Sequence, residues 1–516
     1  MPRNLTRLFF IVASTLAALN EACAQTPANS PEQIPPPPPV RREFRGVWIA
    51  TVQNIDWPSR PGLSSQEQQQ ELLDMLDRAA ELRLNAVILQ VRPAADALYA
   101  SPYEPWSEYL SGVMGRAPSP YYDPLEFAVR EAHKRGLELH AWLNPYRAKH
   151  PSGRSRPAPN HISVTNPELV KRYGTHLWMD PGEPEVRAHT LKVVLDVVKR
   201  YDIDGVHIDD YFYPYRERDA RGRVIDFPDA NSWRRYLASG GNLSRDDWRR
   251  ANVDSLIHQV YVGIKALKPW VKFGISPFGV WRPGYPPEVK GFDSFAELYG
   301  DSRKWVLNGW GDYFTPQLYW PTYRPDLPYA VLLRWWVEQN RTGRHIWPGN
   351  YVDKVDGTLT GWPAQELLDQ ISATRSQPGA TGNVYFSMRT LMIGKDSLPE
   401  RLMAGPYAER ALVPASPWLD HVPPLAPIVS IKSDTTARTV TVLFQPQGAE
   451  PTWLWVVRLR VGSNWTTEIF PGTQQSYIVR PFAGGVYSDA LSVTAVDRTG
   501  NESPSVIRSL ATQAPR

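Results

Sequence analysis

The chain is predicted to be an α/β protein, a (β/α)8 TIM barrel followed by a small all-β sandwich domain. Three observations predict this. From Arg42 to Leu412, short apolar, β-branched runs alternate with longer amphipathic stretches, the pattern of a parallel sheet covered by helices. The alternation repeats eight times, the number that closes a barrel. After Leu412 the helical period stops, and short alternating segments separated by turn residues take over. At 516 residues the chain is also too long for one ordinary domain.

Residues 1–24 read as a secretory signal, with Arg3 and Arg7 at the charged start, an apolar Leu8–Leu19 and a small-residue site at Ala22-Cys23-Ala24. The apolar stretch is shorter than the ~20 residues that span a bilayer. Cleavage after Ala24 removes Cys23, the only cysteine. A lipid anchor on Cys23 is the competing reading; a lipoprotein signal wants an apolar residue three positions before the cysteine, where Asn20 stands, followed by Glu21. The expected location is therefore periplasmic or extracellular. Residues 25–41, with the run Pro35–Pro39, form an extended linker.

The barrel is expected over residues 42–412. Strands are predicted at Gly46–Thr51, Ala86–Val91, Glu138–Asn144, Gly205–Asp209, Val271–Ser276, Tyr313–Tyr319, His345–Gly349 and Asn383–Met388. Helices are predicted at Gln66–Arg83, Pro124–Arg135, Glu185–Tyr201, Arg245–Lys268, Phe295–Asn308, Tyr329–Asn340 and Ala364–Ser376. No glycine-rich turn follows the first strand, which argues against a doubly wound sheet. Residues 413–425 are a proline-rich linker and 426–516 the sandwich, with strands from Ile428, Thr439, Leu454, Thr466, Tyr477 and Ala490.

The loops after the second strand (Arg92–Tyr122) and the third (Pro145–Pro184) are long, whereas the turns that lead into strands are short. One face of the barrel is thus elaborate, and active sites sit at the C-terminal ends of barrel strands. There the polar and aromatic residues collect: Arg92, Asn144, Tyr146, Arg147, His207, Tyr211, Trp281, Gln317, Tyr319, Trp320, Asn350 and Asp353, with Glu104 and Trp106 in the second loop. With twenty Trp in the chain, they describe an aromatic cleft suited to sugar rings. A net charge of +4 without a dense Lys/Arg tract gives no support to nucleic-acid binding.

The fourth strand ends in two adjacent acids, Asp209 and Asp210. A strand interior cannot hide unpaired carboxylates, so they belong at its end. Glycoside hydrolysis typically needs two carboxyl groups. Alternation puts His207 and Asp209 on one face and Asp210 on the other, which makes Asp209 the reacting carboxylate and Asp210 a rim residue that orients substrate. His207 could hydrogen-bond Asp209. The second acid is expected among Asp96, Glu104 and Asp353, with Asp96 first because it leaves the second strand over the barrel mouth. No cofactor is expected. None of the ten His lie four apart, so a metal-dependent deacetylase is the weaker reading, and a non-catalytic glycan-binding barrel weaker still.

Asp204-Gly205-Val206-His207-Ile208-Asp209 resembles the fourth-strand motif of the α-amylase-like barrels, where the terminal Asp is the nucleophile; His207 stands where those have Arg. Residues 42–412 resemble the glycosyl hydrolase-like 10 family. The motifs are Phe44-Arg45-Gly46-Val47-Trp48, Gln90-Val91-Arg92-Pro93 with Asp96, Glu104-Pro105-Trp106-Ser107, His140–Arg147, Gly205–Tyr211, Ile275–Gly279 and Pro316–Trp320, in that order. That resemblance implies a barrel acting on bacterial cell-wall glycan stripped of its peptides, in company with cell-division or cell-wall machinery. Ala490–Ser503 resembles the last strand and turn of a fibronectin type III module.

Overall fold

The computed structural model describes residues 34–358, 360–434, 436–480, 482–483 and 486–510. The signal expected at 1–24 lies outside them.

Eight parallel strands form the barrel: β1 (Phe44–Ile49), β2 (Ala86–Arg92), β3 (Glu138–Leu143), β4 (Gly205–Ile208), β5 (Lys272–Ile275), β6 (Tyr313–Phe314), β7 in two pieces (His345–Ile346 and Gly349–Tyr351) and β8 (Gly382–Phe386). The ring closes through β7. Its first piece pairs with β6 (His345 opposite Tyr313), and its second with β8 (Gly349 opposite Val384). β8 then pairs with β1, Phe44 opposite Gly382. Pro348 stands at the break in β7, where a residue without an N–H cannot continue the ladder. Pro316 has the same effect on β6. The strand expected to run to Tyr319 keeps its ladder only to Phe314, with further bridges from Gln317 to Phe278 and Gly349.

Helices follow the strands: α1 (Ser65–Glu81), α2 (Pro124–His133), α3 (Pro184–Arg200), α4 (Arg245–Leu267), α5 (Ser302–Asn308), α6 (Tyr329–Gln339), α7 (Ala364–Ser376) and α8 (Met388–Ile393). Their starts are chemically marked. Ser64 and Glu67 close a capping box on α1, and Asp123, Ser244 and Asp301 accept backbone N–H groups at α2, α4 and α5. The single helix expected over Phe295–Asn308 is broken into Ser294–Glu297 and α5, with Tyr299 at φ 54° and Gly300 between them.

Side chains alternate cleanly. Val47, Ile49, Val87 and Leu89 pack outward under the helices, whereas Phe44, Trp48, Ala86, Ile88, Trp142 and Tyr313 fill the interior. A polar column runs through that interior. Trp48 Nε1 donates to His207 Nε2 (3.2 Å), and His207 Nδ1 meets the Tyr313 hydroxyl (3.0 Å). Tyr313 meets His140 Nδ1 (2.8 Å), His140 Nε2 meets Glu138 (3.0 Å), and Glu138 pairs with Lys272 (2.8 Å). Indole is only a donor, so Nε2 of His207 carries no proton and Nδ1 does. Two glycines make room for the rings: a Cβ on Gly274 would lie 1.8 Å from Tyr313, and one on Gly205 2.5 Å from His140.

The C-terminal region is a pair of antiparallel sheets of three and four strands. Val440, Val442 and Phe444 of one sheet pack with Trp455, Val457, Leu491 and Val493 of the other around their own core.

Candidate active site

β4 ends at Ile208, one residue earlier than expected, so Asp209 and Asp210 have both left the pleat. Strand alternation no longer separates them, and both carboxylates line one cavity of about 420 Å³ at the C-terminal mouth of the barrel. The placing of Asp210 on the opposite face is therefore corrected.

Asp209 is held entirely by donors. Trp142 Nε1 reaches Oδ2 at 3.0 Å and Asn144 Nδ2 reaches Oδ1 at 2.9 Å, with the Tyr211 N–H at 3.4 Å. Asn144 is itself fixed, because its Oδ1 accepts the Arg147 N–H at 2.7 Å. Burial raises the pKa of Asp209, while the charge of Arg147 and the Asn144 and Trp142 hydrogen bonds oppose that rise. Asp210 accepts the Tyr215 hydroxyl (2.6 Å) and Gln317 Nε2 (3.1 Å). Burial and the neighbouring Asp209 charge push it up to about 6, against the Tyr215 bond. The pair is thus unequal: one carboxylate gathers charge-stabilising groups, and the other holds its proton into the mildly acidic range.

The walls are aromatic. Tyr319 stacks on Tyr351 with ring centres 5.1 Å apart, and Trp48, Trp142, Phe278, Phe386, Tyr211 and Tyr215 complete the aromatic lining. Gln317 and Arg147 also line the cavity. Sequence reasoning omitted Trp48, Gln53, Trp142, His150, Tyr351 and Phe386 from the site, whereas Gln90 and the aromatic run ending at Tyr215 are legible at the strand ends. Gln90 Oε1 accepts the Thr51 and Val52 N–H groups, while its Nε2 has no partner among the described residues.

Other expected site residues serve the frame. His207 does not hydrogen-bond Asp209. Both its nitrogens are engaged by Trp48, Tyr313 and Ser276, so it offers no free ligand atom, and burial and then His140 hold its pKa well below the usual value. Asp96 is fully buried, accepts the Ala94 N–H at 2.8 Å and is absent from the cavity lining, so the second acid is not there. Glu104 makes a two-pronged ion pair with Arg92 (2.6 and 2.8 Å) and also binds His189. Arg92 in turn donates to the Asn144 carbonyl. Asp353 accepts the Ser387 N–H and the Thr390 hydroxyl, and Asn350 bonds Tyr329, Gln370 and Asn383. Trp281 donates to Asp301, Trp106 bridges to Ala97, and Tyr146 is buried. Trp320 packs edge-on to Phe278 behind the lining.

The sequence model described as glycosyl hydrolase-like 10 matches residues 43–360. The glycosyl hydrolase YngK of Bacillus subtilis (strain 168) is 40% identical over 415 residues, which cover 78% of this chain and 80% of YngK. The glycosyl hydrolase DigH of Escherichia coli (strain K12) is 36% identical over 411 residues, covering 72% of this chain and 90% of DigH. Among solved structures, the PgaB (BpsB) glycoside hydrolase domain from Bordetella bronchiseptica aligns with 70% of this chain and 98% of its own, at 14% identity and a TM-score of 0.46. The chain belongs to the glycosyl hydrolase-like 10 family and is a glycoside hydrolase.

Proposed function

We propose that this glycoside hydrolase is exported and cuts the glycan strands of bacterial peptidoglycan after their peptides have been removed, in the periplasm or outside the cell beside the cell-wall machinery. The observation that carries the reading is the unequal carboxyl pair, Asp209 and Asp210, in one aromatic-lined cavity. Asp210, which keeps its proton up to about pH 6, gives that proton to the glycosidic oxygen as the bond breaks. Asp209 faces the positive, oxocarbenium-like carbon that forms and stabilises it with its charge. Water then adds to that carbon, and its proton restores Asp210. Tyr319 and Tyr351 offer ring faces to the sugars. The choice of substrate is supported by the resemblance of seven dispersed motifs to the glycosyl hydrolase-like 10 family, which implies cell-wall glycan, and export by the charged and apolar start of the chain.

The test is to incubate the enzyme with purified peptide-free glycan and with intact peptidoglycan, and to identify products by mass spectrometry. Sugar fragments from the peptide-free strands are expected. Fragments from neither polymer would overturn the substrate assignment.

A further inference from the structure

Arg147 is 3% exposed and lines the cavity beside Asp209, yet makes no salt bridge with any described residue. Its Nη1 donates to the Pro93 carbonyl at 3.2 Å, its guanidinium lies 4.5 Å from the Tyr211 ring centre, and its Nε has no partner. A buried cation is costly unless paired. The other buried arginines of the barrel, Arg45, Arg92 and Arg249, each hold a carboxylate at 2.6–2.8 Å. Arg147 differs from them only in facing the cavity. His150 lines the same wall as a neutral imidazole, since burial and then the Arg147 charge lower its pKa to about 4. A second unpartnered donor, Gln90 Nε2, comes from the neighbouring strand β2.

We infer that Arg147 is a specificity residue that binds a free carboxylate carried by a sugar of the substrate. Resting on the proposed substrate, that group is the lactyl carboxylate of muramic acid. When the peptide is attached, the same carbon is an amide, uncharged and followed by a bulky chain. Removing the peptide exposes an anion on each muramic residue. A guanidinium is matched to that anion, since its donors accept a carboxylate in a paired, charge-assisted geometry. The enzyme thereby reads the absence of peptide as a charge, without contacting the peptide.

The experiment compares kcat/KM on peptide-free glycan with kcat/KM on the same glycan after methyl esterification of its carboxylates, which removes the charge and leaves the sugar backbone. The wild-type enzyme is expected to lose about ten- to hundredfold on esterification. Arg147→Gln is expected to fall to a similar low rate on the free carboxylate and to be indifferent to esterification, and Arg147→Lys to recover part of the preference. Because Arg147 also acts on Asp209, the preference ratio decides, not the rate: an effect through Asp209 slows both substrates alike. Equal wild-type rates on the two glycans would overturn the inference and leave the proposed function standing. A preference that survives in Arg147→Gln would overturn it too. Failure of the wild-type enzyme to cut either glycan would instead remove the proposed function and this inference with it.

Discussion

At the scale of single residues, Asn144 joins the chemistry to the backbone. One end of its amide holds Asp209 and the other holds the turn at Arg147. Asn144→Ala should lower kcat/KM by about ten- to hundredfold, since a hydrogen bond to a charged group contributes about 1.5–3 kcal/mol. That bond favours ionised Asp209. Without it the carboxylate protonates more readily, and the acid limb of the pH–rate profile should move to higher pH. The alkaline limb reports Asp210, whose proton is lost as pH rises through about 6. The Tyr215 hydroxyl stabilises the ionised form of Asp210. Tyr215→Phe should therefore carry the alkaline limb upward, which a rate profile from pH 4 to 9 would reveal; a downward shift would contradict the assignment.

At the scale of elements, the long second loop is tied to the barrel by the Arg92–Glu104 pair, whose side chains are 0% and 2% exposed. Glu104→Gln leaves a buried guanidinium without its countercharge and should cost about 3–5 kcal/mol, read as a shift in the denaturant midpoint. Burial raises the Glu104 pKa, but Arg92 and His189 outweigh that and lower it to about 2. A depressed carboxylate pKa means that its stabilisation is complete above the unfolded value near 4.5 and fades as pH falls toward 2. The Gln variant should lack that fraction of the acid loss. The strands and helices themselves are legible in the sequence, because periods of two and 3.6 depend on local pattern. The ends of β4, β6 and β7 are less so. Prolines at 316 and 348 break ladders whose register is fixed only by ring closure, and the stop at Ile208 releases Asp210 into the cavity. For the same reason the acid at 209 can be found from its motif, whereas wall residues such as Trp142, Tyr351 and Phe386 belong to the site only through the closed barrel. Glu104 in the second loop and Asp353 after the seventh strand carry the right chemistry, but their partners, Arg92 and Thr390, take them out of contention.

At the scale of the whole molecule, the β-sheet region is tied to the bottom of the barrel rather than hung from it. Arg498 hydrogen-bonds the buried Asp204, Trp418 donates to Asp312 at 2.8 Å, and Trp453 packs edge-on to His133. Leu412 joins Leu454, Val456 and Val496 in one apolar cluster. Removal of residues 414–516 should therefore strip partners from two buried acids and produce an unstable or aggregating barrel, measured as a fall in Tm or loss of soluble monomer. Arg498→Ala isolates part of the effect and should cost about 2 kcal/mol. The barrel's own face, at the opposite ends of the strands, stays built in that variant, so its kcat/KM should change little at a temperature where it is folded. The central claim is that Asp209 and Asp210 together perform the hydrolysis, and it is tested most directly by kcat/KM of Asp209→Asn and Asp210→Asn on purified peptide-free glycan, with Tm measured on the same samples. Each variant should lose at least about a thousandfold in rate while Tm stays within a few degrees of the wild type; a folded variant of either that keeps cutting at near the wild-type rate would contradict the account.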